Sequence, residues 1–222
     1  KRKYPLAKII YTEFGIFSRA PFPETYYFDH CGLFSNSYIK KTFENRNLIE
    51  FNDDDKKRID DLRFFYEKEI FSTKNPISRT DFDDGTFEKI VLLPLQFSGY
   101  FGFDCCCDYS SQFDYLRAVL DRIPRNVGVI VTRHNTWGDT ITDDNIGYLK
   151  HKYSNLIYLK SFENYSNVSQ LIVPLVDGVI SVSSSVGLNS VFWDKPFFYF
   201  GDSHLNYFGK PVTFDIIKDI EN

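Results

Sequence analysis

Three consecutive serines, Ser183, Ser184 and Ser185, stand between an apolar run, Gly178–Val182, and a stretch of helical spacing, Val186–Trp193. Hydroxyls at the start of a helix do one of two things. They cap its free backbone N–H groups, or they join those N–H groups in holding an anion. Gly187, just inside the helix, would permit close approach of backbone or ligand. A second cluster, Thr132-Arg-His-Asn-Thr-Trp137, offers His134 as an acid or as a donor to a phosphate or carboxylate. Arg133 beside it suits planar anions. Asp104 lies among Phe101, Phe103 and Cys105–Cys107, where partial desolvation would make a carboxylate a base or nucleophile. The plainer reading of Asp104 is a helix cap, although Asp108 suits that cap better. Gly201-Asp-Ser-His204 forms a further polar cluster, and Glu13 would face the same cleft if two halves packed edge to edge. The cysteine triplet raises a thiol nucleophile, but no His–Asp or His–Asn partner is placed by the sequence, and packing of small apolar side chains explains it better.

The elements that must position these groups are legible from residue 89 onward. Short apolar runs at Ile90–Leu95, Val127–Thr132, Leu156–Leu159, Val179–Val182 and Phe197–Phe200 read as strands. Between them, Gln112–Arg122, Thr142–Tyr153, Ser166–Leu175 and Val186–Trp193 read as helices. Continuous apolar strands alternating with helices predict an α/β domain with a parallel sheet covered on both faces. Sites in such Rossmann-like folds lie beyond the carboxyl ends of the strands, and every cluster except Glu13 falls just there. Residues 1–88 read differently, with a strand at Ala7–Tyr11, an aromatic loop from Pro21 to Tyr27 and a surface helix within Asn52–Ile70. The chain thus divides into 1–88 and 89–222.

Composition narrows the function. A net charge of −4 and a pI near 5.6 argue against a nucleic-acid partner held by general electrostatics. No apolar run approaches the ~20 residues that span a bilayer. The four cysteines lack the spacing of a zinc site or a secreted disulfide framework, so reduced thiols and a cytoplasmic location are expected. The chain has no methionine and opens Lys1-Arg2-Lys3, so we expect a piece of something longer.

With these residues assembled, the chain resembles the capsule polysaccharide biosynthesis family, which includes bacterial β-Kdo glycosyltransferases. Glu13-Phe-Gly15 resembles that family's Glu-x-Gly, and Tyr27-Phe-Asp-His-Cys-Gly-Leu-Phe-Ser-Asn-Ser37 is similar to its Asp-x-x-Gly loop. Val91-Leu-Leu-Pro-Leu-Gln96 is similar to its Val-Pro-x-Gln strand end, and Ile130–His134 matches its Lys-Pro-His-Pro region in part. Ser183–Val191, followed by Lys195-Pro and Phe200-Gly, resembles the Ser-Ser-x-x-Gly-x-Glu-Ala block most closely. Asn135 and Asn189 depart from that pattern, where proline and glutamate are usual.

The resemblance implies a GT-B arrangement of two Rossmann-like halves, with 89–222 the nucleotide-sugar half and 1–88 the end of an acceptor half whose earlier part is missing. It implies transfer of an acidic sugar, Kdo from CMP-Kdo, onto a bacterial surface glycan, with retention and without a metal cofactor. Asp104 would be nucleophile or stabiliser, Glu13 the acid/base partner, and His134 would ease departure of the leaving group. Gln96, Arg133, Ser183, Ser184, Ser185, Gly187 and His204 would line the donor site. Partners would be the CMP-activated sugar and a glycan acceptor, with peripheral association at the inner face of the cytoplasmic membrane. A non-catalytic nucleotide- or glycan-binding module is the competing reading.

Overall fold

The computed structural model describes residues 7–17, 22–43, 52–68, 76–134 and 141–221. Lys1–Lys3, Asn135–Trp137 and the Ile70 end of the expected surface helix lie outside them.

Six strands form one parallel sheet: β3 (Lys89–Pro94), β4 (Val127–Thr132), β5 (Leu156–Ile157), β6 (Gly178–Ser181), β7 (Phe197–Tyr199) and β8 (Lys210–Pro211). Their spatial order is β5-β4-β3-β6-β7-β8. The chain therefore builds outward from β3 in one direction, returns, and builds outward from β6 in the other. That is the doubly wound Rossmann-like order, with its switch point between β3 and β6. The expected α/β class and parallel sheet are present.

The strand residues explain the layering. Val91 and Leu93 of β3 join Val129 and Val131 of β4 in one core, and Ile90 and Leu92 join Ile130 and Val179 in the other. Successive side chains of a strand point to opposite faces, so apolar residues at every position need cover on both sides. The α-helices among the described residues are α1 (Tyr38–Thr42), α2 (Asp53–Tyr66), α3 (Phe101–Asp104), α4 (Gln112–Arg122), α5 (Asp143–Lys152), α6 (Val168–Ile172), α7 (Val186–Phe192) and α8 (Ile216–Glu221). Leu116, Val119 and Leu120 of α4 cover the first core, and Leu171 and Ile172 of α6 cover the second. Ser111 caps α4 by accepting from the Asp114 N–H at 3.1 Å, and Thr142 caps α5 in the same way.

Three expectations change. The expected helix Ser166–Leu175 is one turn of α-helix followed by a 3-10 turn at Val173–Leu175, because Pro174 has no N–H to continue the ladder. The strand expected at Leu156–Leu159 stops at Ile157, where the chain turns toward the 3-10 segment Lys160–Asn164. The expected strand Ala7–Tyr11 is instead β1 (Tyr11–Phe14), paired antiparallel with β2 (Tyr26–Asp29) in a separate hairpin. Of the helical face expected on α2, Tyr66 is buried, whereas Leu62 and Phe65 are exposed.

Candidate functional site

A cleft of about 330 Å³ opens at the carboxyl edge of the sheet, over the switch point. The loop after β3 supplies Gln96, Phe97 and Tyr100, and the end of β4 supplies Arg133 and His134. The first turn of α6 brings Ser169 and Gln170. Ser183, Ser184 and Ser185 follow β6, and His204 follows β7. The β1–β2 hairpin closes the opposite wall with Glu13, Phe14 and Tyr27. A parallel sheet puts all its strand ends on one edge, which is why residues so far apart in sequence meet there.

The switch point is pinned by one polar pair. The Gln96 side-chain amide donates to Ser183 Oγ at 3.0 Å, while its oxygen accepts from the Ser183 N–H at 3.3 Å. Ser183 Oγ in turn donates to the Gly102 carbonyl. Gln96 and Ser183 are buried, so their first role is to fix the serine turn. Ser184 Oγ accepts from the Val186 N–H at 3.3 Å, a local cap. Ser185 completes the cleft-facing turn.

Across the cleft, Glu13 is half-buried and oriented at both oxygens. One accepts from the Phe14 N–H at 2.9 Å, the other from Tyr100 Oη at 2.9 Å. Burial first, and then the charge of Glu13, push the Tyr100 phenol well above its usual range. Tyr100 therefore stays a hydroxyl donor. Glu13 is the one carboxylate lining the cleft among the described residues.

The hairpin is held in place by Asp29. One of its oxygens accepts from the Cys31 and Gly32 N–H groups at 2.7 and 3.1 Å. The other accepts from Ser37 Oγ at 2.8 Å and the Tyr38 N–H at 2.7 Å. Burial would raise its pKa, but these hydrogen bonds outweigh it and hold the carboxyl below its ordinary value. Asp29 groups with His30 and Cys31 within 4.8 Å, yet both of its oxygens are spent on this loop. Phe34, inside the same loop, sits at φ 53°, a left-handed conformation costly for a bulky residue, and lines the cleft.

Several expected site residues stand elsewhere. Asp104 is exposed, accepts from the Gly99 N–H at 3.2 Å and lies outside the cleft lining. It ends the short helix α3, which turns it to the surface. Gly187 is buried under the sheet rather than open to the cleft: a Cβ there would meet the Phe197 ring at 2.7 Å. Arg133 reaches the lining, but its guanidinium pairs with Asp143 and Glu163 and stacks on Tyr158 at 5.0 Å. It is a neutralised clamp rather than an open anion anchor. His134 does line the cleft, its ring 5.3 Å from Phe97. The cysteines stay away from it, and burial above all pushes the Cys106 thiol far up. A thiol nucleophile therefore has no place in the lining of this cleft.

His204 is the most unusual of the set. It is 4% exposed, and burial lowers its pKa from 6.5 to about 4. Its Nδ1 is buried without a hydrogen-bond partner, and so is Tyr27 Oη nearby. Tyr27, Phe34, Tyr100 and Gln170 were not assigned by sequence reasoning. The Asp29 loop motif, which holds Tyr27 and Phe34, could have flagged those two, and Tyr100 lies in the run that follows the strand Ile90–Leu95.

The fold has a counterpart among solved structures. The chain is similar to the beta Kdo 2,7 transferase KpsC of Thermosulfurimonas dismutans, with a TM-score of 0.58 and 16% sequence identity. The match covers 93% of this chain and 61% of that one, so this chain spans less than two thirds of its length. No family model and no curated protein sequence matches. The likeness is one of fold. No helix among the described residues is long and apolar enough to cross a membrane.

Proposed function

We propose that the cleft transfers a nucleotide-activated acidic sugar to a glycan hydroxyl, with CMP-Kdo as the donor. One observation carries this reading: a serine turn at the switch point and an oriented carboxylate face each other across one cleft in a glycosyltransferase-like fold. Residues 89–222 would hold the donor, and 1–88 would form the end of the acceptor side. A surface glycan as acceptor would place the protein at the inner face of the cytoplasmic membrane.

In the proposed step, Glu13 accepts the proton of the acceptor hydroxyl as its oxygen bonds to the anomeric carbon. The bond from that carbon to the phosphate oxygen breaks, and the nucleotide leaves with the electron pair. Ser184, Ser185 and His134 would stabilise the charge that develops on the phosphate. The scheme uses no metal ion. A retaining double displacement would need a second carboxylate at the anomeric carbon. Asp104 is not placed to be that group, so the scheme uses Glu13 alone.

Calorimetric titration with CMP and CMP-Kdo, against UDP and GDP sugars, tests the donor assignment. Selective cytidylate binding that weakens in the Ser184→Ala, Ser185→Ala double variant is expected. Indifference of a folded sample to every nucleotide would remove the proposal. Glu13→Gln should keep donor binding while transfer falls by roughly 100-fold or more. The binding-module reading draws on the outward position of Asp104 and the neutralised Arg133. Cytidylate binding by the wild type with no transfer to any glycan would establish it instead.

A further inference from the structure

On one wall of the cleft, two neighbouring buried polar atoms have no hydrogen-bond partner. Nδ1 of His204 and Oη of Tyr27 both lack a hydrogen-bond partner, and both residues line the cleft. Their rings lie 5.5 Å apart, with Phe34 5.9 Å from the imidazole. A buried polar atom left unpaired keeps its desolvation penalty without a bond to offset it. Native proteins leave few of them. Two on one wall of a cleft call for a partner that the chain itself does not supply.

We propose that the Tyr27–His204 wall is a recognition subsite for the hydroxyls of an uncharged sugar residue. This rests on the transferase reading above and assigns that wall to the acceptor side, which takes His204 out of the donor lining implied by the resemblance. Three features select the ligand class. The first is charge: Glu13 lines the same wall and Asp29 follows Tyr27 by two residues, and after burial itself these two carboxylates oppose ionisation of Tyr27. A carboxylate or phosphate on the ligand would meet the same repulsion. The second is hydrogen-bonding capacity. A phenol both donates and accepts, and the Nδ1 of a neutral imidazole accepts or donates according to its tautomer. A sugar hydroxyl complements every combination, whereas a carboxylate only accepts. The third is shape, since the half-buried Tyr27 ring, 5.5 Å from the imidazole, offers apolar surface that suits the C–H face of a sugar ring, while Phe34 is buried behind it. The cleft is thus divided, with the serine turn and His134 toward the anion and the hairpin wall toward a neutral polyol.

The probes are the methyl glycosides of glucose, galactose and mannose, each paired with the matching uronic acid. Binding is followed through the imidazole NMR signals of His204 and, in parallel, through the melting temperature of wild type, Tyr27→Phe and His204→Phe. At least one neutral glycoside should shift the His204 signals and bind about tenfold or more tightly than its uronic acid. Each variant should lose roughly five- to tenfold in that affinity. Each should also melt higher than wild type without ligand, because an unpaired buried polar atom has been removed. A merely structural role predicts the opposite sign. Should His204→Phe fail to fold, Tyr27→Phe carries the test alone. The proposal is overturned if no neutral glycoside binds up to its solubility, if the uronic acids bind equally, or if Tyr27→Phe lowers the melting temperature. CMP titration of the same samples separates the two readings. Cytidylate binding without glycoside binding rejects this subsite only, and the reverse rejects only the donor assignment.

Discussion

The sheet and the hairpin facing it are built on different physics. Every residue of β4 is buried, as are all but the first of β3, and apolar cores lie on both sides. In the hairpin, by contrast, Tyr26 is 51% and Phe28 72% exposed. What holds that arm is polar and aromatic: the Asp29 cage, Thr25 Oγ1 donating to the Phe17 carbonyl at 2.9 Å, and Phe17 stacked on Phe22 at 4.6 Å against Tyr66. Arg63 of α2 adds a bond to the Phe192 carbonyl at 2.7 Å. The sheet holds the serine turn through hydrophobic burial, whereas the arm that carries Glu13 hangs on a few directed bonds. Stability and chemistry are therefore separable, and substitutions should divide along that line.

The largest effect belongs to the sheet. Leu92→Ala removes a fully buried side chain from the central strand and should cost about 3 kcal/mol. Urea denaturation measures it, and a loss under ~1 kcal/mol would mean the sheet is not the stabilising unit.

Next comes pH, acting where sheet edge and hairpin meet. His204 stays neutral in the fold down to about pH 4, while the unfolded chain takes up its proton near 6.5. Its contribution is full above pH 6.5 and lost as the pH falls toward 4, by about 3 kcal/mol at most. His204→Phe should flatten that slope in denaturation curves run across the range. An unchanged slope would locate the pH sensitivity elsewhere.

Asp29→Ala sharpens the contrast. Loss of four hydrogen bonds to a buried carboxylate should cost about 2 kcal/mol. Hydrogen exchange should speed up across residues 29–38 and leave the amides of β3 and β4 protected. Equal acceleration in the sheet would show one cooperative unit. The smallest effect is expected at Asn52, which caps α2 through the Asp55 N–H at 2.9 Å. Asn52→Ala should cost about 1 kcal/mol, visible in exchange of the first turn of α2.

Legibility followed the same division. Runs such as Val127–Thr132 and Gln112–Arg122 match the structure end to end, because hydrophobic period and capping residues are local properties of the chain. The hairpin was missed because β1 and β2 are short and largely exposed, so neither carries a clean alternation. At the site, the serine turn and His134 follow their strands and could be placed on one edge from sequence. Asp104 also follows a strand, yet one turn of helix rotates it outward, which sequence spacing does not reveal. Arg133 looked like an anion anchor because its partners, Asp143 and Glu163, lie 10 and 30 residues further along the chain.

By itself, the order of apolar runs and helical stretches determined the α/β class, the parallel sheet and the edge where a site must lie, since each follows from local periodicity and chain connectivity. Only the tertiary structure decided which charges are spent and which are open. It joined Gln96 to Ser183, closed Asp143 and Glu163 on Arg133, set Glu13 across the cleft and left Tyr27 and His204 unpaired. A side chain's charge state and hydrogen-bond partners depend on neighbours brought from across the chain, and no local pattern encodes those.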